Sequence, residues 1–185
     1  MLPLARVPGV TPRPLIAALA IALAAIASGC ATFTDSNNVA RVGDETLSND
    51  ELREIVSAIT GTPIGETTDG VNGINFVGNA DNARTAIEFW VTGQIARAEL
   101  DALASEVPAE TRDETQVRLA SVTANFAELS TAARDLIIDL EAAIVVFGGQ
   151  PGAADAFVVA AEGSDVYVDP RFGAYEVTGQ VVPLT

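Results

Sequence analysis

Apolar residues recur at intervals of three and four along most of the chain, which is the spacing of one face of an α-helix. The second of the helices that this pattern predicts contains Gly93. Glycine within a helix lowers helix stability by about 1 kcal/mol relative to alanine. We therefore expect Gly93 to serve another purpose, namely to permit close contact with a neighbouring helix. Asn82 is the expected N-cap of that helix, and Gly61 and Pro63 end the helix before it. The four predicted helices cover about 49–60, 83–105, 111–147 and 151–161.

The third predicted helix is the longest, because no proline or glycine occurs between Thr111 and Phe147. A heptad seam over four repeats is typical of helices that pack along their length. We favour an intramolecular helical hairpin or bundle, with dimerisation through the seam as the alternative. The seam consists of Leu119, Val122, Phe126, Leu129, Ala133, Leu136, Leu140, Ala143 and Phe147.

Alternating patterns predict short strands at the two ends of the helical region. Residues 39–42 and 45–47 form a hairpin around a turn at Gly43-Asp44. Ser48 and Glu51 then have the spacing of a capping box, which starts the first helix. Near the other end, Val166 and Val168 alternate with polar residues, and residues 174–177 predict a further short strand. The fold class is therefore mainly α, with a small β component.

The segment 61–82 contains five glycines and predicts a long surface loop or insertion without regular structure. Asp69, Asn72 and Asp81 offer oxygen ligands of the kind that calcium prefers, but no EF-hand spacing is present. A plain loop is the interpretation we favour, and no metal site is expected.

The N-terminal segment predicts a lipoprotein signal peptide over residues 1–29. An arginine-bearing start is followed by the apolar run 15–27, which is too short to span a bilayer of about 30 Å. Gly29 and Cys30 then resemble the bacterial lipobox, with cleavage between them and acylation of the cysteine thiol by chains such as palmitate. Residues 30–37 would be a lipidated tether, so we expect the protein at the extracytoplasmic face of a cell membrane. Ordinary signal cleavage that leaves a free cysteine is the alternative.

Composition excludes several classes of function. The chain has no histidine, and all ten of its basic residues are arginine, so histidine-based catalytic sites and lysine-dependent phosphate loops or Schiff bases are excluded. The net charge is −15, and because residues 1–29 hold two arginines and no acid, the part from residue 30 onward carries −17. This charge argues against nucleic acid as a partner and against electrostatic adhesion to anionic lipids.

Two segments together resemble the SurA-type chaperone domain of extracytoplasmic foldases. "VARVGDETLSNDELREIV" is similar to the hairpin and capped helix that open this domain, and "DVYVDPRFGAYEV" is similar to the segment that closes it in lipoprotein members. The resemblance covers residues 38–60 and 150–178. It implies a domain over 38–178 in which the first and last segments form a small sheet beside a helical bundle, and it leaves 179–185 as a tail. Many relatives also carry a parvulin-type isomerase domain, which needs a histidine and about 90 more residues than this chain offers.

The resemblance implies chaperone-like binding of unfolded or extended polypeptides, without catalysis and without a cofactor. The candidate client-binding residues are Phe76, Phe89, Trp90 and Phe126. A structural or adaptor lipoprotein that binds one envelope protein is the alternative. An enzyme would have to rely on carboxylate pairs such as Glu110/Glu114 or Asp135/Asp139, but these lie at helical spacing among many other acids, which indicates a solvated face.

Overall fold

The computed structural model describes residues 37–61, 69–71, 74–76 and 80–184. Gly29, Cys30 and the predicted signal peptide lie outside the described residues. Five helices are described, namely α1 (Asn49–Thr60), α2 (Ala80–Ala102), α3 (Ala109–Val122), α4 (Thr131–Gly148) and α5 (Ala153–Gly163), with a 3-10 helix at Phe126–Glu128. The described strands are β1 (Asn38–Val42), β2 (Glu45–Ser48), β3 (Asp69–Val71), β4 (Ile74–Phe76), β5 (Val166–Val168), β6 (Ala174–Glu176) and β7 (Gln180–Val182). None of the helices among these residues has the length and apolar character needed to cross a bilayer.

The two ends of the domain meet in one sheet, which confirms the predicted fold class of a helical bundle with a small terminal sheet. Its strand order is β2-β1-β5, and all pairs are antiparallel, with Ala40 opposite Val168. The Asp169 backbone N–H donates to the Val39 carbonyl at 2.8 Å, which extends the pairing past the end of β5. Val39 and Ala40 are fully buried, so the sheet is fixed to the core as well as by its hydrogen bonds.

The predicted capping box starts α1. The Glu51 backbone N–H donates to Ser48 Oγ at 3.2 Å, and the Ser48 N–H donates to Glu51 Oε2 at 2.9 Å. Gly61 ends the helix in the left-handed conformation, with a φ of 67°. These two signals position α1 directly after the hairpin, as the sequence predicts.

The main core lies where α2 packs on α4 and α1. Trp90, Leu140 and Leu52 are among its largest fully buried side chains. Gly93 lies at the crossing of α2 and α4, where a Cβ atom would come within 2.7 Å of Leu140 Cβ. The prediction that this glycine permits close helix contact is confirmed.

The prediction of one continuous helix over 111–147 is wrong. The chain leaves the helical conformation after Val122, passes through the 3-10 helix and starts α4 at Thr131. The break has two local causes. Ser130 Oγ accepts the Ala133 N–H and caps α4, and the Asn125 side chain donates to Ser57 Oγ on α1. Most of the seam is nevertheless buried within the chain, which agrees with the favoured intramolecular packing.

Three further boundaries differ from the prediction. The helix α2 begins at Ala80, so Asn82 lies inside its first turn and is not the N-cap. The segment 61–82 is not wholly irregular, because β3 and β4 pair as a short antiparallel hairpin. Residues 180–182, predicted to belong to a tail, form β7, which pairs with β6 because Gly179 makes the tight turn between them.

The β6–β7 hairpin is held by a polar contact to α2. The Val181 N–H donates to Glu88 Oε1 at 2.7 Å. Gly173 has a φ of 136°, and a Cβ atom there would lie 2.1 Å from the Val182 carbonyl oxygen, so the approach of β7 requires glycine. The small β6–β7 hairpin is therefore fixed on the bundle.

Candidate functional site

An apolar cleft opens between the helices on the side where α3 meets α1, α2 and α4. Its volume is about 300 Å³. Most of its lining is aliphatic or aromatic, and its charged members are one arginine and one glutamate. The lining residues are Ile55, Ala58, Ile59, Phe89, Arg118, Leu119, Val122, Thr123, Phe126, Ile137 and Glu141.

The cleft has an exposed apolar rim and a buried apolar floor. Ile59 on α1 is 46% exposed and Val122 on α3 is 70% exposed. Between them, Phe126 and Ile137 are almost completely buried. An apolar side chain entering from solvent would therefore contact apolar atoms on several sides, and it would also remove Ile59 and Val122 from water. This is the arrangement that favours binding by the hydrophobic effect.

The polar contribution to the cleft is an ion pair at its edge. Arg118 Nη2 donates to Glu141 Oε1 at 2.7 Å, which joins α3 to α4. A second pair, between Arg112 and Asp139, joins the same two helices but does not belong to the lining of the cleft. The hydrogen bond to Asp139 is the main cause of a raised Arg112 pKa. Both pairs connect α3 to α4.

The structure places two of the four predicted client-binding residues in this cleft. Phe89 and Phe126 both line it. Trp90 does not, because it is 1% exposed and lies in the core. Neighbouring helical residues point about 100° apart, so Phe89 reaches the cleft while Trp90 points inward. Phe76 lies in β4, whose side chains are outside the described part of the structure.

The cleft also contains residues that the sequence analysis assigned only to helix faces. Ile55 and Ile59 belong to the predicted apolar face of the first helix, and Leu119 and Val122 belong to the heptad seam. Their spacing showed that they share a face, but not that part of this face stays open. The cleft is open because the helix breaks after Val122. No proline or glycine at this point of the sequence signals that break.

The carboxylate pairs considered for catalysis are spread over exposed surface. Glu110, Glu114 and Asp135 are exposed, and Asp139 is engaged by Arg112. Within the described ranges, no group of three His, Cys, Asp or Glu residues could hold a metal ion. Of the calcium-ligand candidates, Asp81 forms an ion pair with Arg84.

An ion pair within the closing segment, between Asp169 and Arg171, lies outside the lining of the cleft. Asp169 accepts the Arg171 backbone N–H and its Nε–H, each at 2.9 Å. Burial raises the pKa of the Asp169 carboxyl, but the hydrogen bonds and charge of Arg171 lower it by more, so the pKa lies below its ordinary value. In the next strand, burial raises the pKa of Tyr175.

A second concavity differs from the cleft in its chemistry. It also measures about 300 Å³ and lies near the β1–β2 turn, where Asp44, Glu45, Asp101 and Asp165 contribute carboxylates and Arg97 contributes a guanidinium group. Charged groups of this kind are strongly hydrated, so the apolar cleft is the better candidate for a site driven by burial.

Comparison with protein-family models, with characterised proteins and with solved structures gave no match to this chain.

Proposed function

We propose that this protein is a lipid-anchored, extracytoplasmic holder of unfolded or extended polypeptides, and that it is related to the SurA-type chaperone domains. The single observation that carries the proposal is the apolar cleft with its exposed rim at Ile59 and Val122. The antiparallel pairing of β1 with β5 agrees with the sheet that the resemblance implies. The lipid anchor rests on the sequence around Cys30.

Binding in this cleft would be weak and reversible. Burying one large apolar side chain contributes about 1.5–3 kcal/mol, and a volume of about 300 Å³ has room for a short apolar stretch at most. Such a site holds a client without trapping it. It recognises apolar character with little dependence on sequence, which suits a protein that meets many unfolded chains.

The acidic surface complements this role. A net charge of −17 from residue 30 onward keeps the holder soluble and self-repelling while it carries apolar side chains at its surface. The same charge favours client segments that contain lysine or arginine. Acylation of Cys30 would keep the domain close to the membrane, where exported chains emerge, because two or more acyl chains anchor a protein stably.

The test uses two serine substitutions at residues of similar exposure. Ile59 on α1 lines the cleft and Val145 on α4 does not, yet they are 46% and 48% exposed. We expect Ile59→Ser to weaken suppression of aggregation by about threefold to tenfold, as loss of apolar burial in the site predicts. Val145→Ser should behave as the unchanged protein. Light scattering with heat-treated citrate synthase and with reduced insulin as clients measures the effect, and urea unfolding confirms that both variants are folded.

Two outcomes would contradict the proposal. Equal effects of the two substitutions would show that the cleft is not the binding site. Absence of suppression with both clients, together with stoichiometric capture of one envelope protein, would favour the adaptor function instead.

A further inference from the structure

Helix α3 has very little apolar contact with the rest of the domain. Thr115 is its only side chain that is fully buried, and Leu119 is partly buried. Helices in proteins are stabilised mainly by packing an apolar face against the core. The helix α3 lacks such a face, although it lies on a well-packed bundle.

The contacts that hold α3 in place are largely ionic. Arg112 pairs with Asp139, and Arg118 pairs with Glu141, so both pairs join α3 to α4. All four side chains retain contact with solvent. Ion pairs of this kind contribute little and are weakened by salt. Segments held in this way open at a lower free energy than the rest of a domain.

Both ends of α3 are joined to non-helical connections. Pro108 precedes the helix and provides no side-chain cap. After the helix, Asn125 is buried and its side chain donates to Ser57 Oγ on α1. This bond fixes the chain just beyond the helix, so α3 can turn about residues 123–125 while Phe126 stays in the core.

The second half of α3 forms one wall of the apolar cleft. Leu119 and Val122 line the cleft together with Ile55 of α1, Phe89 of α2 and Ile137 of α4. Outward movement of α3 would widen the cleft into a groove along α4. It would also release Asp139 and Glu141 from their arginines at the edge of that groove.

We propose that α3 is a lid, and that an apolar client segment flanked by arginine or lysine displaces it. This inference rests on the proposed client-binding function. The incoming segment takes the place of Leu119 and Val122 against the apolar wall, and its basic residues replace Arg112 and Arg118 on Asp139 and Glu141. The helix α3 itself shows the chemistry that the groove accepts, because Arg112 and Arg118 precede the apolar residues Leu119 and Val122.

The first measurement is hydrogen exchange on the full protein without any client. The double variant Asp139→Asn with Glu141→Gln removes both partners of the α3 arginines. We expect its α3 amides to exchange about threefold to tenfold faster, as the loss of two exposed ion pairs predicts, while amides of α2 stay unchanged. The matched control is Asp155→Asn with Glu162→Gln on α5, which removes the same charge from exposed residues that form no ion pair within the described part of the chain, and it should leave α3 exchange unchanged.

The second measurement is the affinity of three short synthetic peptides that share one apolar stretch and carry flanking arginines, serines or glutamates. The unchanged protein should prefer the arginine peptide. In the Asp139/Glu141 double variant this preference over the serine peptide should disappear, and the serine peptide should bind more tightly because the lid is open. The control double variant should keep the preference, since general electrostatic attraction acts equally in both.

The two measurements separate the lid from the client-binding function. If α3 amides exchange no faster in the Asp139/Glu141 variant than in the control, the lid is disproved even where peptides bind. If α3 opens but none of the peptides binds, the proposed client-binding function is disproved, and so is the proposal that an apolar segment with basic flanks displaces α3. Equal loss of the arginine preference in both double variants would also overturn the assigned contacts.

Discussion

At the crossing of α2 and α4, the absence of a side chain at Gly93 sets how closely the two helices approach. An alanine Cβ would lie 2.7 Å from Leu140 Cβ and 2.8 Å from Leu140 Cδ2. Because Cβ is fixed to the backbone, rotation of the leucine cannot relieve the clash. We expect Gly93→Ala to lower the free energy of unfolding by about 1–3 kcal/mol, although alanine has the higher helix propensity. Urea denaturation followed by circular dichroism measures the change.

The control for this substitution is Gly148→Ala at the end of α4. No atom lies within 4 Å of a Cβ built at Gly148, so the substitution should leave stability unchanged or raise it. A destabilisation at Gly148 as large as that at Gly93 would show that helix packing is not the cause.

A second residue-scale prediction concerns Asp169. Its folded-state pKa is lowered, so the unfolded chain binds the proton more readily, and the contribution of Asp169 to stability is fully present above its unfolded pKa of about 3.9. It is lost as the pH falls through the folded-state value. We therefore expect Asp169→Asn to lower the free energy of unfolding by about 1–3 kcal/mol at neutral pH, and by less below pH 4.

Urea unfolding of both proteins at several pH values measures this difference. Asp165→Asn is the control, because Asp165 pairs with Arg41 on the same sheet but is mostly exposed. It should change stability by at most about 1 kcal/mol. If the difference in the free energy of unfolding between the unchanged protein and Asp169→Asn stayed constant down to acidic pH, the stabilisation could not come from the ionised Asp169 carboxylate.

The aromatic residues of α2 show what a sequence can predict about single side chains. Phe89 and Trp90 are adjacent in sequence, and both are predicted as candidate client-binding residues. Only the packing of three other helices decides which one meets solvent: Phe89 lines the cleft and Trp90 lies in the core. Helical spacing predicts that the two point in different directions, but it does not assign those directions.

At the scale of elements, the capping box of α1 offers a direct test. Ser48 accepts the Glu51 N–H, and Glu51 accepts the Ser48 N–H. Ser48→Ala removes one of these bonds, so we expect stability to fall by about 1 kcal/mol. Thermal unfolding measures the loss. The control is Ser121→Ala near the end of α3, where the serine bonds only to the carbonyl of Arg118 and alanine should be tolerated.

Elements with local signals were predictable, and elements defined by distant contacts were not. The hairpin around Gly43, the capping box and the left-handed glycine that ends α1 each depend on residues close in sequence. The break between α3 and α4 depends on Asn125 reaching Ser57, which is 68 residues away. The heptad spacing continues through the break because Phe126 and Leu129 still face the core from non-helical backbone. Spacing alone therefore predicted the buried face correctly and the helix wrongly.

The same distinction applies to the cleft. Its residues could be predicted as apolar face members of two helices, but the cleft exists because α3 ends early and packs loosely. Likewise, β7 could have been suggested by the turn residue Gly179, yet a three-residue strand gives too short a pattern to stand out from a tail. The binding proposed for this cleft therefore depends on the part of the fold that is hardest to predict from the sequence.

At the scale of the whole molecule, acidity and the proposed lipid anchor lead to one joint prediction. The part from residue 30 onward carries −17, so anionic lipid head groups repel it, and we expect any membrane association to come from the acyl chains of the proposed anchor. In cells, Cys30→Ser should leave the membrane fraction, whereas the unchanged protein should stay there through a wash with concentrated sodium chloride and be released by detergent. Salt weakens electrostatic contacts but strengthens apolar burial, so this wash separates the two causes. Retention of Cys30→Ser in the membrane fraction, or release of the unchanged protein by salt, would contradict lipid anchoring and would require attachment through a partner protein.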